Sequence, residues 1–200
     1  MSIPYNRTQM ISTTLNLLGY PLIQSIASGG PAAAALDNLY DLVMAADLSS
    51  PNWRFASKTA QLSLVAGVDP DFDWFDSVYQ LPPDCLAVWQ IYPNVPFEVF
   101  GERLWTTGSQ ALSIQYRALV PESMLPPAYL MYFAYLLADS AGPPIVKDAN
   151  MSQLIQAQMT KWRAQAMIVN TQGRPNQGLT NSPWVSARAS GGSGYGAGRV

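Results

Sequence analysis

The sequence predicts an α+β fold: an antiparallel helical bundle with an inserted small β domain and an extended C-terminal arm. Three observations predict it. Apolar residues recur at helical spacing towards both ends of the 200 residues. Between residues 60 and 120 they give way to short, partly alternating runs rich in β-branched and aromatic side chains. From Gly173 onward neither period is present. The boundaries that follow are 1–60 and 121–172 for the two parts of the bundle, 61–120 for the insert and 173–200 for the arm.

The elements follow in order. Met10, Ile11, Leu15 and Leu18 share one helical face, and Gly19 with Pro21 supplies the stop. Gly29-Gly30-Pro31 opens a second helix, since proline in the first turn loses no hydrogen bond. Leu36, Leu39, Tyr40 and Val43 form its apolar stripe, with Asp37, Asp41 and Asp47 expected to face outward and Ser49-Ser50-Pro51 to end it. Strands are expected at 61–65, 86–92, 97–100, 103–106 and 111–117, together making one small sheet. Val99 to Leu104 reads as a hairpin, because Gly101 accepts the positive φ that opens a type II′ turn. Leu112, Ile114 and Tyr116 alternate with Ser113, Gln115 and Arg117, as a half-buried strand requires. The run Tyr129 to Leu137 is apolar all round and is expected as the central buried helix, stopped at Gly142-Pro143-Pro144. Asp148 is placed to cap a last helix whose stripe is Met151, Ile155, Met159, Trp162, Ala166 and Val169.

Composition excludes several chemistries. Without histidine there is no Ser-His-Asp triad, Cys-His pair or His-ligated metal. One cysteine, Cys85, allows neither an internal disulfide nor a cysteine-rich zinc site. A net charge of −2 argues against a surface that grips nucleic-acid phosphates. The first residues lack the pattern of a secretion signal, and the longest apolar run, Ala128 to Ala138, is 11 residues where a span needs about 20. The expectation is a soluble protein, with no membrane partner, made in a reducing compartment or indifferent to redox state. Charged residues are only 12% of the chain, which suits a subunit whose exterior is largely covered by neighbours.

Candidate sites are few. Asp69, Asp71, Asp73 and Asp76 alternate like the start of a calcium loop, but Trp74 stands where the loop needs glycine and Gln80 where it needs glutamate. A solvated acidic loop is the plainer reading, and paired carboxylates of a small metal-dependent hydrolase are the enzymatic alternative. Cys85 follows Asp84 and has no base or cation beside it in sequence, so it reads as a buried structural thiol. Trp53, Trp74, Trp89 and Trp105 read as core. Trp184 is the exception, lying in the arm four residues before Arg188, and Trp and Arg are the types enriched at binding hot spots. Residues 174–200 hold Arg174, Arg188 and Arg199 and no acid, and Ser190 to Gly198 has too little side chain to offset its ordering entropy. The arm is therefore expected to be mobile when free and to serve a partner; a scaffold module that binds some other protein through it is a further alternative.

Taken in order, these signals resemble one family. Leu17-Leu18-Gly19-Tyr20-Pro21, a second helix carrying Tyr40, Trp53-Arg54-Phe55-Ala56, and Tyr79-Gln80-Leu81-Pro82-Pro83-Asp84-Cys85-Leu86 are followed by the strand pair at Gly101, the 112–116 strand, a late helical pair and a C-terminal Trp…Arg. The chain is similar over nearly its whole length to tail tubular protein A, the head-to-tail adaptor or gatekeeper of short-tailed bacteriophages. It departs from the family at Ala87, where a basic residue is common. The resemblance implies a virion protein, made in the host cytoplasm, of which twelve copies form a ring below the portal. A nozzle protein similar to tail tubular protein B docks beneath, and double-stranded DNA passes through. It implies no enzymatic activity and no cofactor. On this reading the helical body makes the ring, and Arg174, Trp184 and Arg188 anchor the arm to the portal. Loops 69–76 and 93–97 meet the nozzle, with Asp69, Asp71, Asp73 and Asp76 facing the nozzle or the lumen.

Overall fold

The computed structural model describes residues 5–50, 53–67, 74–108, 111–142, 145 and 149–172. Among these the fold is α+β, with four α-helices and two small antiparallel sheets inserted between them. The chain clusters into Met1–Asn170 and Thr171–Val200, the second unit being described only over the last two residues of the final helix.

Helix α1 (Arg7–Leu17) starts at a capping box: Asn6 accepts from the Gln9 N–H at 2.9 Å, and Gln9 accepts from the Asn6 N–H at 3.0 Å. It ends where Gly19 takes φ 82°, which turns the Tyr20 N–H back onto the Leu15 carbonyl. Helix α2 (Gly30–Leu48) carries proline in its first turn. Helix α3 (Pro127–Ala141) buries Tyr129, Phe133, Ala134 and Leu137 against both. Helix α4 (Ala149–Gln172) contributes Ala166, with Met159 and Trp162 packed at the rim. Its expected stripe is buried or half-buried from Met151 to Ala166, but Val169 is exposed. Asp148, the expected cap, lies outside the described residues.

Arg7 joins α1 to α2. Its Nε donates to Asp37 at 2.6 Å and its Nη1 to Asp41 at 2.8 Å, and the guanidinium lies 4.7 Å from the Tyr40 ring centre. Asp37 is therefore half-buried against Arg7, and Asp41 faces outward as expected. Asp47 does not. It turns inward and accepts from the Tyr129 and Tyr132 hydroxyls, both at 2.9 Å. Burial raises its pKa, against the lowering effect of those hydroxyls, of the Trp53 N–H and of Arg163. The reason is positional: Asp47 sits one turn beyond Met44 on the buried side, where only a hydrogen-bonded carboxylate is tolerated.

The insert holds two sheets rather than the single one expected. The first has the order β1 (Ser57–Gln61), β7 (Ser113–Ala118), β4 (Cys85–Tyr92). The second has β2 (Ser63–Leu64), β3 (Ser77–Gln80), β6 (Arg103–Thr106), β5 (Phe97–Phe100). The expected strand at 61–65 is the crossover. β1 ends and β2 begins on either side of Leu62, whose N–H donates to the Leu112 carbonyl at 2.8 Å. Leu62, Tyr79, Ile91, Leu104, Ile114 and Tyr116 from both sheets make a second core. The β5–β6 turn is as expected: Gly101 has φ 59° and Glu102 a negative φ, which defines type II′.

Two tryptophans depart from expectation. Trp53 and Trp105 are buried, whereas Trp74 and Trp89 are 63% and 56% exposed. Trp89 lies beside a register shift in β4 and covers Arg117, whose guanidinium sits 5.3 Å from its ring centre. Arg117, expected on the solvent side of β7, is instead buried, with Nη1 donating to the Trp53 carbonyl at 3.0 Å and to the Ser57 hydroxyl.

Candidate partner-binding face

Side chains alternate across the second sheet, so Val78 on β3, Trp105 on β6 and Glu98 on β5 share the face turned away from the second core. Phe75 packs onto Val78 and Trp105 there as a third, small core. Ring contacts extend it into a row. Trp74 meets Phe75 at 6.3 Å, Phe75 meets Trp105 at 6.3 Å, and Phe100 meets Trp105 at 4.7 Å. The middle of the row is buried, but its ends, Trp74 and Phe100, are 63% and 40% exposed. A row of rings open at both ends is a ready hydrophobic contact surface.

Asp76 and Pro96, near the ends of the two loops expected to meet a partner, both bond to a residue that sequence reasoning passed over. Thr106 is fully buried. Its carbonyl accepts from the Asp76 N–H at 3.1 Å, and its hydroxyl donates to the Pro96 carbonyl at 2.8 Å. One β6 residue thus ties the end of loop 69–76 to the end of loop 93–97. Asp76 is exposed and accepts from the Gly108 N–H at 3.2 Å. Asp69, Asp71 and Asp73 lie outside the described residues, as do Arg174, Trp184 and Arg188. Among the described residues no three Cys, Asp or Glu come together as a metal site.

Charge is unevenly spread. Residues 61–120 hold seven carboxylates and two cations, net −5, whereas 1–60 and 121–172 each hold three of either sign and are neutral. Residues 173–200 carry the remaining +3. Asp76, Glu98 and Glu102 are all exposed on the second sheet or its loops. Among the described residues, exposed carboxylates thus stand beside the exposed aromatic rings, with Arg103 the exposed cation of the same sheet.

The Tyr79–Leu86 motif acts as a tie between sheets. Tyr79 and Leu81 are buried in the second core. Asp84 accepts from Lys58 Nζ at 2.7 Å and from the Tyr116 hydroxyl at 3.0 Å, and its carbonyl accepts from the Leu119 N–H at 2.9 Å. The Lys58 hydrogen bond is the main cause holding the Asp84 carboxyl below its ordinary range. Cys85 is half-buried rather than fully buried, and burial with the neighbouring Asp84 pushes its thiol up, away from thiolate. An open groove of about 550 Å³ along α1 is lined by Tyr5, Ser12, Leu22 and Ile23 among others, with no carboxylate, cation or thiol among its described lining residues. No helix among the described residues is long and apolar enough to cross a membrane. Comparison with protein-family models returned no match, and neither did comparison with curated proteins.

Proposed function

We propose that this chain is a structural head-to-tail adaptor of a short-tailed phage. Twelve copies form a ring between the portal and the tail nozzle, and DNA passes through it. The observation that carries the reading is the order of parts in one chain. A neutral helical body is interrupted by an acidic two-sheet insert and is followed by an acid-free, arginine-bearing segment. Large apolar side chains exposed on the body, Leu42 on α2 and Leu154, Ile168 and Val169 on α4, support a subunit whose flanks are covered by copies of itself. A head-to-tail contact repeated until its rotation closes gives such a ring. The segment beyond residue 173 takes the portal, with Arg174, Trp184 and Arg188 as anchors. Asp69, Asp71, Asp73 and Asp76 belong to the nozzle-facing end or the lumen.

Deleting residues 174–200 is expected to leave a folded subunit that no longer joins portal rings in a pull-down. Undiminished joining would refute the arm assignment. Replacing Asp71 and Asp73 by lysine is expected to weaken nozzle attachment, and normal attachment would remove the insert from that role.

A further inference from the structure

An added strand needs a sheet edge, and proteins guard edges they do not use with lysine, bulges or brevity. Three of the four edges in the insert are guarded in this way. β1 is polar and carries Lys58, β2 has two residues, and β4 is broken by two register shifts. β5 is not. Its sequence is Phe97-Glu98-Val99-Phe100, and among the described residues it pairs only with β6. In a two-residue hairpin the residues flanking the turn exchange both hydrogen bonds, so Phe100 and Glu98 bond towards β6. The N–H and C=O groups of Phe97 and Val99 then point away from the sheet.

We propose that this edge accepts, as an added strand, the C-terminal segment of a second copy of this chain. Charge selects the occupant: the insert is net −5, while residues 173–200 hold three arginines and no acid. Sequence fits it to the two faces. In Trp184-Val185-Ser186-Ala187-Arg188, an antiparallel strand with Val185 opposite Val99 puts Trp184 beside Phe100 on the aromatic face and Arg188 diagonal to Glu98. Val185 and Ala187 then join Phe97 and Val99 on the core side. Length allows it, since the 12 residues from Gly173 to Trp184 span up to about 40 Å when extended. Segment-to-edge contact is head-to-tail and so extends from copy to copy. It stands apart from the portal reading: a segment engaged by the portal is withdrawn from its neighbour, and the edge contact belongs to copies that have not met one.

Hydrogen exchange of the full-length protein tests this at the amides of Phe97 and Val99. At high protein concentration these amides are expected to exchange at least about tenfold more slowly than in dilute solution. Adding a synthetic peptide of residues 173–200 to the dilute protein is expected to restore the slow rate. A variant with Val185→Pro and Ala187→Pro, which leaves the insert sequence intact, is expected to exchange fast at every concentration. Fast exchange in the parent at all concentrations overturns the proposal. So does protection that survives the proline pair, or that is independent of concentration and unaffected by the peptide.

Discussion

The helical body and the β insert are held together differently. Among the described residues, 21 buried side chains from all four helices, Trp53 and flanking segments form one continuous core in the body. The insert divides its own into a cluster of nine and a cluster of three. The body turns the Asp47 carboxylate inward and is neutral overall, whereas the insert is strongly acidic and exposes Asp76, Glu98 and Glu102. The lesson is a division of labour: the body gathers its packing into one core, tied by the Arg7 and Asp47 hydrogen bonds, and the insert gives up packing depth for a charged, ring-bearing surface and one unguarded edge.

Truncating the body's centre sharpens that comparison most. Phe133→Ala removes a fully buried ring in contact with Tyr40 and Tyr129 and is expected to cost about 3–5 kcal/mol by denaturant unfolding, with loss of structure throughout. Leu104→Ala, at the centre of the second core, is expected to cost about 2–4 kcal/mol, with faster hydrogen exchange in β3, β5 and β6 and little change in α3. An equal rise in α3 would break the comparison by showing one cooperative unit. Thr106→Val keeps shape but leaves the Pro96 carbonyl without its donor; about 1–2 kcal/mol and faster exchange across 93–97 are expected.

Acid gives the smallest and most diagnostic effect, because the two regions respond with opposite sign. Asp84 has its pKa lowered, so its contribution to the insert is complete above the ordinary value of 3.8 and is lost as pH falls through the depressed one. Asp47 has its pKa raised, so ionising it costs the body stability above that raised value, and falling pH relieves the cost. Asp84→Asn should therefore flatten the acid limb of insert unfolding, and Asp47→Asn should flatten the limb of the body.

Much of the architecture was legible because periodicity reports burial. α2, α3 and most of α4 show it, and Gly101 marks its hairpin by the one φ that only glycine adopts freely. β1 was not legible, since Ser-Lys-Thr-Ala-Gln lies exposed at an edge and alternates nothing. β3 is four residues long beside an acidic stretch. The inward turn of Asp47 depends on hydroxyls 82 and 85 residues away, and the tie at Thr106 depends on two loops that only the folded sheet brings together. Trp89 looked like core because its strand is apolar; it is a lid on Arg117, and a lid leaves one face to solvent.

The chain enters and leaves the insert side by side. Ser57 pairs with Arg117, and the Ala118 N–H donates to the Ala56 carbonyl at 2.8 Å. A segment whose two ends are hydrogen-bonded to each other can be excised and its stumps rejoined by a tight turn without stretching the helices it interrupts. The insert thus has a single doorway, at which its sequence can be exchanged for another while the helical chassis is kept.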